Sequence, residues 1–179
     1  IDAGFGGVVV KSLFGNSASL GRRYPRTRFK LFGWKDYPGY PNRVTKYFTL
    51  HSLEECSAFG YDDYAKNINE AKRLIGDGGV VIASISGSSI KEWEELCDVV
   101  NGTNADMCEV NISCPFAADM GLKMGAGAVE AAPEIVRAVK KRLVLPFSVK
   151  LSPQVSDVLP LATAVEAAGA NALTLQARL

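Results

Sequence analysis

The chain has 179 residues, of which 47% are hydrophobic and 22% are charged, and its formal net charge is +1. This length and composition fit part or all of one globular domain. The near-neutral charge argues against a general electrostatic attraction to nucleic acid or to an anionic membrane. No apolar stretch reaches the ~18 residues of a membrane-spanning helix, and the first residues do not resemble a secretion signal.

The four cysteines are Cys56, Cys97, Cys108 and Cys114. Two of them lie in expected strands and one lies in an expected amphipathic helix, which favours reduced thiols in a cytoplasmic enzyme over disulfides. The spacing of Cys108 and Cys114 is not that of a zinc or iron–sulfur site, and His51 is the one histidine. No metal site is therefore expected.

The N-terminal third begins with Gly7–Leu13, a dense apolar run typical of a buried strand. Residues 14–64 lose regular periodicity and contain several prolines and glycines, which predicts an irregular excursion of loop or hairpin character. Arginines there alternate with aromatic residues, as in a stripe that binds single-stranded nucleic acid. We favour aromatic rings packed on the domain with cations in water, because the overall charge is neutral.

The rest of the chain alternates regularly between helix and strand. Helices are expected at Tyr61–Ile75, from Ile90 to about Val100, at Val129–Leu143 and at Ser156–Ala168. Strands are expected at Gly79–Ile85, Asp106–Ser113, Leu145–Leu151 and Ala172–Leu175. Glu92 is placed for a capping box with Ser89.

This alternation predicts an α/β fold with a parallel sheet and right-handed crossovers. A doubly wound sheet and a (β/α)8 TIM barrel both remain compatible with it. A complete barrel takes ~250 residues, so the chain would be part of one barrel domain spanning residues 1–179, without strands at both ends.

Polar residues collect where the predicted strands end. Lys11 and Lys150 lie near the ends of two strands. The strand Asp106–Ser113 carries Asn111 and Ser113 at its end and is followed by Cys114, Pro115 and a glycine-rich segment at 118–127. These ends meet at one mouth of a parallel barrel. Two lysines there suit an anion or a cofactor that gains negative charge, and a thiol above them can act as an acid or base.

Several segments resemble the dihydroorotate and dihydropyrimidine dehydrogenase family. Glu109–Pro115 is similar to its E-L-N-L-S-C-P segment, Phe147–Pro153 to its F-x-x-K-L-x-P strand, and Val8–Ser12 to its V-x-K-T strand. The Met-Gly-Leu sequence at 120–122 resembles the dihydropyrimidine branch more closely. The matches occur in the right order along most of the chain, which makes them more specific than any one motif.

The resemblance implies an FMN-binding (β/α)8 barrel of which strands 2 to 6 are present, and a dehydrogenase that moves a hydride between flavin N5 and a CH–CH bond. Lys11, Ser12, Lys150 and Asn111 would contact FMN. Asn111 and Ser113 would contact the substrate, and Cys114 would exchange the proton on the substrate carbon opposite the hydride. The electron partner would be a separate subunit or domain carrying NAD(P), FAD or iron–sulfur chemistry, and an oligomer of identical chains is compatible with this scheme.

Two segments depart from the family's substrate-binding asparagines. The chain reads Thr-Leu-His-Ser at 49–52 and Gln-Ala-Arg at 176–178, so the expected substrate is pyrimidine-like or another conjugated carbonyl compound. Two other hypotheses remain open. Lys150 could form a Schiff base, as in aldolase barrels, or the barrel could bind a small molecule without catalysing a reaction.

Overall fold

The computed structural model describes residues 4–15, 28–33, 48–53, 59–113, 128–152 and 155–175. The strands in these ranges are β1 (Gly7–Val9), β2 (Leu13–Phe14), β3 (Arg28–Gly33), β4 (Phe48–Leu53), β5 (Val80–Ser86), β6 (Met107–Asn111), β7 (Phe147–Leu151) and β8 (Ala172–Leu175). The helices are α1 (Tyr61–Ile75), α2 (Ile90–Asn101), α3 (Ala128–Arg142) and α4 (Leu159–Ala167), and a short 3-10 turn (Gly76–Gly78) follows α1.

The main sheet is parallel and has the order β1-β5-β6-β7-β8, with β2 also paired to β5. Helices α2, α3 and α4 each connect two neighbouring parallel strands, as right-handed βαβ units require. The arrangement is a half barrel, which confirms the α/β fold class and the partial TIM barrel predicted from the sequence.

The two faces of the sheet carry different side chains because successive residues of a strand point to opposite sides. The face toward the helices is apolar and belongs to one hydrophobic core, in which Val81, Cys108, Val110, Val149 and Leu151 are fully buried. The opposite face, called the polar face below, carries Ser84, Glu109, Asn111, Ser148, Lys150 and Thr174. The core therefore lies outside the half barrel, and the polar side chains lie inside it.

The predicted buried strand Gly7–Leu13 is wrong in two respects, because Val8 and Val9 of β1 are exposed and because the strand is interrupted. Val9 pairs with Ile82, whereas Leu13 pairs with Ile85, so four steps on one strand match three on the other. This one-residue excess is a β-bulge, which changes the side to which later side chains point. Leu13 consequently joins the core with no exposed surface.

The expectation of hairpin character within residues 14–64 is confirmed where the structure describes it. Strands β3 and β4 form an antiparallel pair, with Arg28 opposite Leu53 and Gly33 opposite Phe48. Residues 16–27, 34–47 and 54–58 of this excursion lie outside the described ranges, and with them most of the arginine-rich stretch.

The helix boundaries agree with the sequence to within one residue, except at the start of α4. Helix α1 has the predicted bounds and is followed by Gly76 with a positive φ of 61°, a conformation that favours glycine. Helix α4 begins at Leu159 instead of Ser156, because the Asp157 carboxylate accepts the Leu159 N–H and Pro160 fits the first turn. At α2, the Ser89 hydroxyl accepts the Glu92 N–H, but the Glu92 carboxylate accepts from Ser88, so the capping box is only half as predicted.

Among the helices in the described parts of the chain, none is long and apolar enough to cross a lipid bilayer.

Candidate active site

Asn111 and Lys150 lie side by side on the polar face. Asn111 is the last residue of β6, Lys150 is the fourth residue of β7, and the two are register partners. The Lys150 side chain keeps 28% of its surface exposed. The structure thus brings together two of the predicted site residues at the carboxyl ends of adjacent parallel strands, where parallel α/β folds place their binding sites.

The Asn111 amide is oriented by three hydrogen bonds. Its Oδ1 accepts from Ser113 N at 3.1 Å and from Ser113 Oγ at 2.7 Å, and its Nδ2 donates to Ser12 Oγ at 3.1 Å. A backbone N–H can only donate, so the oxygen of the amide must face Ser113. Ser12, Asn111 and Ser113 therefore form one cluster, and Lys11 is exposed directly beside it.

Ser84 and Glu109 extend this polar cluster, and neither was singled out as a site residue from the sequence. Ser84 Oγ lies 2.7 Å from Ser12 Oγ and donates to Glu109 Oε1 at 3.1 Å. Glu109 Oε1 also forms an ion pair with Lys150 Nζ at 3.7 Å. The sequence signal that could have identified Glu109 is its position between the apolar residues Cys108 and Val110, because strand alternation places it on the opposite, polar face.

Tyr64 of helix α1 anchors the strand that carries Ser84. Its hydroxyl donates to the Ser84 backbone oxygen at 2.7 Å, and its side chain is fully buried. Burial is the largest cause that raises the pKa of Tyr64, and the nearby Cys108 raises it further. The phenol stays neutral and acts as a hydrogen-bond donor that fixes the end of β5.

The described thiols are unsuited to acid–base chemistry. Cys97 and Cys108 are buried free cysteines. Burial raises the pKa of Cys97 to about 12 and raises the pKa of Cys108 well above its ordinary value. Cys108 is therefore a core residue, as the sequence predicted. Cys114, the predicted catalytic thiol, lies outside the described residues, as do the glycine-rich segment at 118–127 and residues 176–178.

The donor groups at this site fit one edge of a flavin. An isoalloxazine ring presents carbonyl oxygens and ring nitrogens that accept hydrogen bonds, and Asn111 Nδ2 and Lys150 Nζ are donors on adjacent strands. In the part of the chain that the structure describes, no group of three or more His, Cys, Asp or Glu side chains could hold a metal ion. The donor chemistry suits a polar organic ligand that carries or gains negative charge.

Comparison with known proteins identifies the family. The family model described as dihydroorotate dehydrogenase matches residues 56–177, which is more than half of the chain. The chain belongs to the dihydroorotate dehydrogenase family. The matched range contains Glu109, Asn111, Ser113 and Lys150, so most of the polar cluster lies within it.

Individual relatives support the same assignment. The chain is 38% identical over 96 residues to the catalytic subunit of dihydroorotate dehydrogenase B (NAD(+)) of Geobacillus kaustophilus, covering 53% of this chain and 30% of that protein. The corresponding subunit of Methanothermobacter thermautotrophicus is 34% identical, with 82% of this chain and 47% of the relative covered. Subunit PreA of the NAD-dependent dihydropyrimidine dehydrogenase of Escherichia coli is 32% identical over 96% of this chain and 39% of its own length. The chain thus spans between 30% and 47% of the length of these three curated relatives.

Proposed function

We propose that the protein containing this chain is an FMN-dependent dehydrogenase that acts on a CH–CH bond of a pyrimidine-like or other conjugated carbonyl substrate. The observation that carries this proposal is the pairing of Asn111 with Lys150 on the polar face of a half barrel of the dihydroorotate dehydrogenase family. Bound FMN supplies hydride transfer at its N5 atom.

The residues of the chain divide the remaining work. Lys150 of β7, with Lys11 between β1 and β2, supplies positive charge that binds the flavin ring and favours its reduced state. The oriented Asn111 amide offers its second Nδ2 proton to the flavin edge or to the substrate. Ser12 completes the flavin contacts and Ser113 the substrate contacts.

Cys114 is proposed as the acid or base that exchanges a proton at the substrate carbon. It is three residues beyond Asn111 in the sequence, directly before Pro115. A positioned acid or base contributes ~10²–10⁴-fold to turnover. We therefore expect Cys114→Ala in the full-length protein to slow substrate turnover by about that factor and to leave FMN affinity nearly unchanged.

The ion pair of Lys150 favours this proposal over a Schiff-base enzyme. A lysine that attacks a carbonyl must be a free, neutral amine, whereas Lys150 Nζ forms an ion pair with Glu109 Oε1 at 3.7 Å. Borohydride trapping with a carbonyl substrate tests the alternative directly. A covalent adduct at Lys150 would support the Schiff-base hypothesis.

The electron partner is proposed to be a separate subunit. One relative is named as a catalytic subunit of an NAD(+)-type enzyme and another as subunit PreA of an NAD-dependent enzyme. Those names belong to the relatives, and by analogy a partner protein would exchange electrons between FMN and a nicotinamide here.

The deciding experiment is purification of the full-length protein with added FMN. We expect a bound flavin with an oxidised absorbance band, bleached by dihydroorotate or by a dihydropyrimidine under anaerobic conditions. A protein that binds no flavin would refute the proposal. A flavoprotein bleached by neither compound would keep the cofactor and redirect the search to other conjugated carbonyl substrates.

A further inference from the structure

Glu109 is a buried carboxylate on the polar face, and its role was not predicted from the sequence. Its register partners are Ser84 of β5 and Ser148 of β7, and only 5% of the residue is exposed. A carboxylate in such a place needs donors nearby, because burial without them is costly. The described donors are Ser84 Oγ at 3.1 Å and Lys150 Nζ at 3.7 Å, both on Oε1.

The hydrogen bonds around this carboxylate run in one direction. Glu109, paired with a cation, can only accept, so the single proton of Ser84 points to it. Ser12 must then donate to Ser84 across their 2.7 Å contact, and Ser12 in turn accepts from Asn111 Nδ2. The chain of hydrogen bonds therefore starts at the Asn111 amide and ends at Glu109. On the β7 side, Glu109 forms the ion pair with Lys150.

This direction limits what each group can offer a ligand. The Ser12 hydroxyl has no proton left and can serve a ligand only as an acceptor. The Asn111 amide is held with its nitrogen toward Ser12 and its oxygen toward Ser113, and one Nδ2 proton remains available. Lys150 has three protons, of which Glu109 attracts one, so its position and its net effect on the ligand both depend on that carboxylate.

We propose that Glu109 is a positioning residue that holds Lys150, orients Asn111 through Ser84 and Ser12, and offsets part of the positive charge that the site presents to the flavin. The proposal rests on FMN as the ligand. Reduced FMN carries more negative charge than oxidised FMN, so a carboxylate near the lysine disfavours the reduced form. Replacing Glu109 with a neutral side chain shifts the balance toward reduced FMN.

The first test uses Glu109→Gln in the full-length, FMN-loaded protein. We expect the dissociation constant of oxidised FMN divided by that of reduced FMN to rise about tenfold, which is an upward shift of about 30 mV for a two-electron couple. Sulfite, which adds to electron-poor flavins, should bind correspondingly more tightly. Glu134→Gln is the matched control, since it removes the same charge from an exposed position of helix α3. An unchanged or lowered midpoint potential in Glu109→Gln would overturn the proposal.

The second test needs no flavin. In the flavin-free full-length protein, Glu109→Gln releases Lys150 from its partner, so acylation of that lysine should become several-fold faster, measured by quantitative peptide mapping. The exposed Lys141 provides the internal control, and its rate should stay the same. An unchanged acylation rate at Lys150 overturns the proposal whether or not the protein binds FMN. A failure to bind FMN would instead refute the proposed function.

A conservative variant covers a folding failure of the glutamine variant. Glu109→Asp keeps the charge but withdraws it from Lys150 by about one methylene. Both the midpoint shift and the labelling rate should then fall between those of wild type and those expected for the neutral variant. A merely structural role would weaken FMN binding in both redox states equally and leave the midpoint where it was, which would also count against the proposal.

Discussion

Gly15 lies directly after β2 and has no room for a side chain. A Cβ atom at this position would lie 2.4 Å from Glu92 Cδ, 2.4 Å from Oε2 and 2.8 Å from Oε1. The Glu92 carboxylate, at the first turn of α2, accepts from Ser88 N at 2.8 Å and from the Ser88 hydroxyl. Gly15 itself is tied to β5, because its N–H donates to the Ser86 oxygen at 3.0 Å. Gly15→Ala must therefore displace the carboxylate.

The size of the effect follows from two opposing contributions. A hydrogen bond to a charged group contributes about 1.5–3 kcal/mol, and Glu92 is only 9% exposed, so water replaces a lost bond poorly. Gly15 has no positive φ, so alanine fits its backbone and gains about 0.4–1 kcal/mol by restricting the unfolded chain. With at least one bond lost, we expect Gly15→Ala to destabilise the protein by about 1–2 kcal/mol.

Denaturant unfolding of the full-length protein measures this cost. Gly102→Ala is the matched control, because its new Cβ would lie no closer than 3.5 Å to any neighbour, and it should be neutral or slightly stabilising. If Glu92 is the cause, Gly15→Ala should cost much less in a Glu92→Ala background, giving a coupling energy of about 1 kcal/mol or more. Equal costs in both backgrounds would refute the reasoning.

Three further predictions concern charge and thiols. Asp106→Asn should lower the free energy of unfolding at pH 7 by about 1–2 kcal/mol, because the carboxylate accepts from Lys72 Nζ at 2.8 Å and from Val81 N at 2.8 Å. The Lys72 hydrogen bond is the main cause that lowers the pKa of Asp106, so this contribution should be present above about pH 4 and disappear as the pH falls through the folded-state pKa. Acid titration of the wild type and the variant measures this difference. Native-state iodoacetamide labelling at pH 8 should leave Cys97 and Cys108 unmodified, since burial raises both pKa values, and labelling of either at the rate of the unfolded chain would contradict this. Lys150→Ala should weaken FMN binding and lower the midpoint potential of the flavin, and an unchanged or raised midpoint would count against its role.

Most of the fold could be predicted because local signals and tertiary packing agree. Helix α1 combines a 3.6-residue apolar period with Gly76 at its end, and its bounds were predicted correctly. Strand β8 was also predicted at its observed bounds. The start of α4 was misplaced because the Asp157 carboxylate accepts the Leu159 N–H in a local turn, and the helix begins only after it.

The site was harder to predict because its contacts cross between strands. Asn111 and Lys150 were expected to meet at the strand ends, and their register confirms it. Glu109 was passed over because its partners are 25 and 41 residues away in sequence, and only the pairing of β5, β6 and β7 brings them to the same carboxylate. Periodicity shows which face a residue occupies, but it does not show which residues of other strands stand beside it.

The bulge between β1 and β2 explains why Ser12 belongs to this network. Had the register of Val9 with Ile82 continued without an extra residue, Lys11 would lie opposite Ser84 and Leu13 would face the polar side. With the extra residue, Leu13 reaches the core opposite Ile85, and Ser12 comes within 2.7 Å of the Ser84 hydroxyl. The one inserted residue thus has two effects. It buries the apolar side chain of Leu13, and it places the Ser12 hydroxyl between Asn111 and Ser84, in the hydrogen-bond chain that leads to Glu109. It also leaves the neighbouring Lys11 exposed, beside the cluster instead of inside it.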